Sequence, residues 1–148
     1  MYLDKFKLTD RVAVVTGGAS GIGYSTAEAL AEAGARVIIT DRDAAAIDEA
    51  RATLAEKSYQ VDGILMDVTD SKRVTEVAGE IVAREGRVDI LVNNAGIARS
   101  ETAAETVEDE HWLNVLDVNL NGTFWCARAF GKHMLARGSG AIVNVGSM

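Results

Sequence analysis

Short apolar runs alternate with longer amphipathic segments along this chain. Runs of this length, rich in β-branched residues, are typical of strands that are buried on both faces. Segments of helical length and spacing lie between them, and this alternation predicts parallel β-α-β units. We therefore expect an α/β protein in which five parallel strands form a doubly wound sheet with helices on both faces. The predicted strands are Val12 to Thr16, Val37 to Thr40, Val61 to Met66, Ile90 to Val92 and Ala141 to Val145.

The ends of the predicted helices carry residues with known capping preferences. Asp43 and Asp70 precede helical runs, where a carboxylate accepts hydrogen bonds from first-turn amides and contributes about 1 kcal/mol. Gly34 and Gly86 follow helical runs, and glycine adopts the positive φ of a helix end without a steric penalty. These signals predict where two helices begin and where two end.

The segment from about 108 to 137 is the longest helical candidate, and its apolar residues cover more than one face. A second face, with Leu113, Leu120 and Phe124, would stay exposed on a helix that packs only on a sheet. We expect this face to form a subunit contact in a homo-oligomer, either a dimer or a homotetramer. The alternative is that residues absent from this chain cover it. The first of these faces, which is the one expected to pack on the sheet, carries Trp112, Val115, Leu116, Cys126 and Phe130.

Composition indicates an ordinary globular domain spanning residues 1–148, because 48% of the residues are hydrophobic and 25% are charged. The net charge of -7, with Lys and Arg scattered, argues against nucleic acid as a partner. The single cysteine, Cys126, and two histidines, His111 and His133, predict no intramolecular disulfide and no metal site. The absence of an apolar run of signal-peptide or membrane-span length predicts a cytoplasmic protein with no membrane partner.

A glycine-rich loop, Thr16 to Gly23, follows the first predicted strand and opens a helix. Gly17 allows a sharp turn off the strand, Gly21 removes a Cβ where phosphates would approach the backbone, and Gly23 allows close packing of helix and strand. The spacing is Gly-x-x-x-Gly-x-Gly rather than Gly-x-Gly-x-x-Gly. Taken alone, such a loop is weak evidence for a ligand, because many are only tight turns.

An acidic residue at the end of the second predicted strand strengthens the case for a dinucleotide. Asp41 lies 18 residues after Gly23, where a carboxylate can accept hydrogen bonds from both ribose hydroxyls of the adenosine half. The same charge would repel a 2′-phosphate, so NAD(H) is favoured over NADP(H). Arg42 follows directly and could hold a phosphate. The alternative interpretation is that Asp41 and Arg42 only begin a solvated turn.

These features, together with the motifs that follow later strands, resemble the short-chain dehydrogenase/reductase family over essentially the whole chain. The motifs are the glycine loop, Asp67-Val68, Asn93-Asn94-Ala95-Gly96, Asn119 and Asn144-Val145-Gly146-Ser147. The resemblance implies a Rossmann-type, NAD(P)-binding fold that is truncated after about the fifth strand. It also implies an NAD(H)-dependent oxidoreductase that interconverts a secondary alcohol and a ketone. The Gly-Ser-Met ending faintly resembles polyol dehydrogenases.

The resemblance implies a role for each motif residue. Asp67 would accept from the adenine amino group and Val68 would pack near the ring, although a strand end is the commoner role of such a pair. Asn94, Ala95 and Gly96 would lie against the cofactor ribose and steady the sheet. The predicted cofactor-binding residues are Gly17, Ser20, Gly21, Ile22, Gly23, Asp41, Arg42, Asp67, Val68, Asn94, Ala95 and Gly96.

Two residues are predicted to be catalytic. Asn119 shares the first face of the long helix, so we expect a buried amide, which serves either a local backbone bond or a site. The resemblance implies that it holds a water in a proton relay. Ser147 follows the fifth predicted strand, where a serine is usually a turn or cap residue. The resemblance implies that it hydrogen-bonds the substrate oxygen.

The family completes its site with a Tyr-x-x-x-Lys pair downstream of the serine, and this chain ends at Met148. We therefore expect the 148 residues alone to be inactive. Three alternatives stay open. In the first, the protein is a 3-oxoacyl-thioester reductase that uses NADPH. In the second, it is a non-catalytic dinucleotide-binding module. In the third, the segment does not fold by itself, because an edge strand and helix faces are uncovered.

Overall fold

The computed structural model describes residues 1–98 and 103–147. Its centre is a five-stranded sheet in the order β3-β2-β1-β4-β5, in which all neighbouring strands are parallel. All five predicted strands are confirmed, and no strand end differs by more than one residue from its predicted position. The strands are β1 (Val12–Thr16), β2 (Arg36–Asp41), β3 (Val61–Leu65), β4 (Ile90–Asn93) and β5 (Ala141–Asn144).

Helices cover both faces of this sheet, which confirms the doubly wound α/β architecture. One face packs against α1 and α2, and the other packs against α3 and α5. Short 3-10 turns lie at Tyr2–Phe6 and Ala104–Thr106. The helices are α1 (Gly21–Glu32), α2 (Ala44–Glu56), α3 (Ser71–Glu85), α4 (Asp109–Leu116) and α5 (Thr123–Arg137).

Each predicted cap is present. The Asp43 side chain accepts from the backbone N of Ala45 and Ala46 at 3.0 and 3.1 Å, and Asp70 accepts from Arg73 N at 2.9 Å. Gly86 ends α3 with φ 77°, and Gly34 has φ 99° just after α1. These positive values lie in the region that favours glycine, as the sequence pattern predicted.

The long helical segment is continuous, but its pitch changes in the middle. Between α4 and α5 runs a π-helical segment, Asp117–Gly122. The prediction that Trp112 shares a buried face with Cys126 and Phe130 is wrong: Trp112 is 53% exposed, whereas Cys126 and Phe130 are fully buried. A π turn takes in more residues than an α turn, so a wheel of 100° per residue does not relate α4 to α5.

The predicted second face is exposed in this chain, since the exposed fractions of Leu113, Leu120 and Phe124 are 62%, 62% and 56%. β5 is an edge strand, and all four of its residues are exposed. The uncovered edge and helix faces that were expected for this segment are therefore present. Within residues 1–98 and 103–147, no helix is long and apolar enough to cross a bilayer.

A buried carboxylate joins the amino ends of the strands on the side of the sheet away from the glycine loop. Asp89 is 5% exposed and accepts from Val12 N at 2.9 Å and from Arg87 Nε at 2.7 Å. Arg11 and Arg137 also reach it, at 3.3 and 3.5 Å. Burial by itself would raise the pKa of Asp89, but the hydrogen bonds from Arg87, Val12 N and Arg11 outweigh it and hold the pKa well below its usual value.

Candidate functional site

The glycine loop leaves β1 at the carboxyl edge of the sheet and turns directly into α1. Gly17 has φ 60° and Gly21 has φ 53°, so both lie in the left-handed region. A Cβ at Gly23 would lie 2.1 Å from the Gly17 carbonyl oxygen, whereas a Cβ at Gly21 would meet nothing within 4 Å. Gly23 therefore lets the helix start close against the loop, and Gly21 faces open space.

The first turn of α1 leaves backbone amides without a partner inside the helix. Tyr24 N donates to the Ser20 carbonyl at 3.1 Å, which is the first bond within the helix. Four backbone N–H groups precede Tyr24, those of Ser20 to Gly23, and a helix offers them no partner of its own. Earlier in the loop, Gly18 N donates to the Thr40 carbonyl and Ala19 N donates to Asp41 Oδ2. The backbone amides that are left for an anion are therefore those at the helix start.

Thr16 and Asn94 join the loop to the end of β4. The buried Thr16 Oγ1 accepts from Asn94 N and from Ala95 N, both at 3.1 Å. The Asn94 amide in turn donates to the carbonyls of Thr16 and Gly17, at 3.1 and 3.0 Å. These four hydrogen bonds fix Thr16 and Gly17, so the first part of the loop is held at a set distance from the end of β4. These hydrogen bonds steady the end of the sheet, which is one of the two roles expected of Asn94.

Two carboxylates lie at the ends of β2 and β3. Asp41 is half-buried and accepts from Ala19 N at 3.4 Å and from Asp43 N at 3.2 Å. Asp67 is exposed, and its Oδ1 accepts from the backbone N and the hydroxyl of Thr69 at 2.9 and 2.8 Å. Asp41 therefore shapes the loop as well as facing the solvent side of the site, a role that its position in the sequence did not indicate.

A cavity of about 390 Å³ brings these groups together. It contains ten of the twelve predicted cofactor-binding residues; Gly21 and Gly23 are not among its walls. Three apolar lining residues were missed, because each reads in the sequence as ordinary core: Met66, Ile97 and Val118. Their only signal is that each is adjacent to a predicted site residue. The predicted lining residues are Gly17, Ser20, Ile22, Asp41, Arg42, Asp67, Val68, Asn94, Ala95 and Gly96.

The residues that line the cavity suit a dinucleotide. The helix start supplies unpartnered backbone amides and the positive end of the helix dipole for a diphosphate. Asp41 supplies acceptors for ribose hydroxyls, and the buried Val68 supplies an apolar wall for a base. No group of three His, Cys, Asp or Glu residues in the described ranges could hold a metal ion.

Asn119 lies in the π segment, and its amide is paired with the backbone of Ile97. Asn119 Oδ1 accepts from Ile97 N at 2.8 Å, and its Nδ2 donates to the Ile97 carbonyl at 2.9 Å. The expectation that this amide is buried is wrong, because the residue is exposed. The change of pitch in the π segment explains the error, as it does for Trp112. The side chain bonds to backbone, as one of its two expected roles required, but the partner lies 22 residues away and the contact is not local.

Ser147 lies three residues beyond β5, at the same carboxyl edge as the cavity, and is exposed. The strand that leads to it is held against β4 by Asn93, whose amide donates to Asn144 Oδ1 at 2.9 Å. Val145 N donates to the Asn93 carbonyl, also at 2.9 Å. Neither Ser147 nor Asn119 is among the described residues that line the cavity.

A parallel doubly wound sheet with a glycine-rich loop after β1 and a cavity at the carboxyl edge defines a Rossmann-type, nucleotide-binding class of protein. Within that class, residues 11–148 match the family described as short chain dehydrogenase. The chain belongs to this family.

Similar proteins include galactitol 2-dehydrogenase of Rhizobium johnstonii, which is 48% identical over 99% of this chain and 57% of its own length. Among solved structures, a gluconate 5-dehydrogenase from Burkholderia cenocepacia in complex with NADP and tartrate is 39% identical, with a TM-score of 0.92. The alignment covers 99% of this chain and 57% of that one. An NAD⁺-bound xylitol dehydrogenase is 31% identical with a TM-score of 0.92, over 96% and 55% of the two chains. The chain thus spans little more than half the length of these proteins.

Proposed function

We propose that the protein is an NAD(H)-dependent oxidoreductase that interconverts a secondary alcohol, of the polyol or sugar-alcohol class, and the corresponding ketone. The observation that carries the proposal is the cavity that residues at the start of α1 line together with Asp41. That pairing suits a diphosphate bound next to a ribose with free hydroxyls. Similarity to galactitol 2-dehydrogenase supports the substrate class.

The order of the strands sets the direction in which the dinucleotide lies. Its diphosphate lies over the start of α1, which follows the central strand β1. Asp41 and Val68, at the ends of β2 and β3, hold the adenosine half on one side. Asn94 and Gly96, which follow β4, lie toward the nicotinamide half on the other side. The nicotinamide supplies or accepts the hydride when it is bound.

Ser147 follows β5, next to β4, and so lies on the nicotinamide side of the sheet. In our proposal its hydroxyl hydrogen-bonds the substrate oxygen and orients the reacting carbon. Asn119 fixes the backbone at Ile97, one residue beyond Gly96, and its family counterpart holds a relay water. The family resemblance implies a Tyr-x-x-x-Lys pair downstream of Ser147, and the three tyrosines of this chain all precede that serine. We therefore propose that these 148 residues alone do not convert substrate.

Asp41 supports NAD(H) as the cofactor, because a carboxylate at the ribose repels a 2′-phosphate. Arg42 lines the same cavity and favours a second candidate, an NADPH-dependent reductase of 3-oxoacyl thioesters. Both dinucleotides occur in similar structures. The experiment is steady-state kinetics of the intact protein with galactitol and each oxidised dinucleotide. We expect kcat/KM with NAD⁺ to exceed that with NADP⁺ by at least tenfold.

Two variants sharpen this experiment. Asp41→Asn keeps one acceptor oxygen for Ala19 N but removes the charge, so we expect the preference for NAD⁺ to shrink by about tenfold. Arg42→Ala serves as the matched variant and leaves that preference intact or increases it. A preference for NADP⁺ in the unchanged protein, or activity with 3-oxoacyl thioesters and none with polyols, would favour the second candidate.

We also propose that the exposed face of Leu113, Leu120 and Phe124 joins two copies of the protein. The three side chains are more than half exposed on one continuous helical segment, and Trp112 on α4 is 53% exposed. Sedimentation of the intact protein should show a dimer or tetramer, and Leu120→Glu should release smaller species. Leu135→Glu, at a residue 82% exposed on α5, is the control and should leave the assembly unchanged. A monomeric protein would refute the proposal.

A further inference from the structure

Gly122, the last residue of the π segment, is buried beside the end of β3 although it takes no part in the cavity wall. Its backbone has φ -59° and ψ -42°, which is ordinary right-handed helix that any residue adopts. The backbone conformation therefore gives no reason for a glycine here. Helix propensity gives none either, because glycine is among the poorest residues for a helix interior.

The reason lies in the contact with Val68. A Cβ at position 122 would lie 2.6 Å from Val68 Cγ2 and 2.9 Å from Val68 Cβ. Reaching an ordinary contact of 3.4 Å would require Val68 to move by about 0.8 Å relative to the helix. Val68 is 7% exposed and β-branched, so rotation about χ1 offers little relief. Its backbone would have to move.

Val68 lines the cavity, as do its neighbour Asp67 and Val118, which belongs to the same π segment as Gly122. A displacement of Val68 would therefore widen or narrow the cavity at its β3 side. That side is where Asp41 and Asp67 lie, and the nicotinamide side, toward β4 and β5, would not be affected.

We propose that Gly122 is a positioning residue, which acts through Val68 to set the shape of the cavity where the adenosine half of the dinucleotide binds. The inference rests on the proposed function, since it assumes that a dinucleotide binds with its adenosine toward β3. Gly122 touches no ligand itself; it lets the π segment approach closely enough for Val68 to reach its place.

The test compares binding of NAD⁺, 5′-AMP and nicotinamide mononucleotide by the intact protein, measured by calorimetry well below the melting temperature. For Gly122→Ala we expect NAD⁺ and 5′-AMP to bind about tenfold more weakly, with nicotinamide mononucleotide within twofold of the unchanged protein. Gly79→Ala is the matched control, because a Cβ at that position in α3 meets nothing within 4 Å. It should bind all three ligands as the unchanged protein does.

A second variant separates positioning from folding. Val68→Ala removes Cγ2 and leaves Cβ, which would lie 2.9 Å from the new methyl, so the displacement needed to reach 3.4 Å falls from about 0.8 to about 0.5 Å. Gly122→Ala/Val68→Ala should therefore bind 5′-AMP more tightly than Gly122→Ala alone. If Gly122→Ala does not fold, the double variant should fold and bind 5′-AMP within about threefold of Val68→Ala. A double variant that does not fold, or that gains nothing in affinity, would overturn the inference.

Two other outcomes are distinguishable. Equal weakening of all three ligands by Gly122→Ala, or unchanged binding of all three, would also overturn the role of Gly122 while leaving the proposed function in place. If the unchanged protein binds neither NAD⁺ nor 5′-AMP, the proposed function itself fails.

Discussion

Replacing Gly23 by alanine tests whether the close fit of the glycine loop creates the dinucleotide site. The added methyl would lie 2.1 Å from the Gly17 carbonyl oxygen and 2.4 Å from the Asn94 amide nitrogen. Both are fixed, because Asn94 donates to that same carbonyl at 3.0 Å. To reach a normal contact of 3.4 Å, the loop and the start of α1 would have to separate by about 1.3 Å.

A displacement of this size at the anion site should weaken NAD⁺ binding by about a hundredfold. The forced opening of a packed contact should also lower the free energy of unfolding by about 1 to 3 kcal/mol. Calorimetric titration of the intact Gly23→Ala protein gives the dissociation constant, and thermal melting gives the stability. Gly79→Ala is again a suitable control, since its new methyl meets only open space. Binding by Gly23→Ala within threefold of the unchanged protein would refute the assignment of the loop.

Three further predictions concern other parts of the molecule. Asp89→Asn should lower the free energy of unfolding by about 2 to 3 kcal/mol at neutral pH, because it removes a buried charge from three arginines. The folded pKa of Asp89 is lowered, so its contribution is complete above the unfolded value of about 3.9 and is lost as pH falls toward the folded value. The difference in free energy of unfolding between Asp89→Asn and the unchanged protein, measured by denaturant melts, should therefore shrink from pH 5 to pH 3. A difference that stays constant over this range would contradict the prediction. Burial raises the pKa of Cys126 to about 12, so a thiol reagent at pH 8 should react about a thousandfold faster in denaturant than with the native protein. Rapid labelling of the native thiol would show that α5 does not pack as described. Asn94→Ala removes the two bonds to the Thr16 and Gly17 carbonyls and should weaken NAD⁺ binding about tenfold, whereas Asn121→Ala, at an exposed residue of the π segment, should not.

Local patterns were enough to predict most of the sheet. Strands β1, β2 and β4 are runs of mostly buried residues, and each cap depends on one side chain or one glycine next to its own helix. Asp43, Asp70 and Gly86 therefore have the predicted roles, because no distant contact is needed to place them. The glycine loop was predictable for the same reason, as Gly17 and Gly21 need positive φ whatever surrounds them.

Features that depend on a change of pitch or on distant contacts were not predictable. The π segment at Asp117–Gly122 leaves no periodic signal, and it alters which residues of α4 and α5 share a face. Trp112 and Asn119 were misplaced as a result. The contact between Gly122 and Val68 joins residues more than fifty positions apart, and Ile97 has no feature that distinguishes a cavity wall from core.

The central claim is that the start of α1 and the Asp41 carboxylate together bind an unphosphorylated dinucleotide. Calorimetric titration of the intact protein with NAD⁺ and NADP⁺ at the same ionic strength tests it most directly. We expect NAD⁺ to bind at least tenfold more tightly than NADP⁺. Tighter binding of NADP⁺, or no heat of binding with either dinucleotide, would contradict the claim.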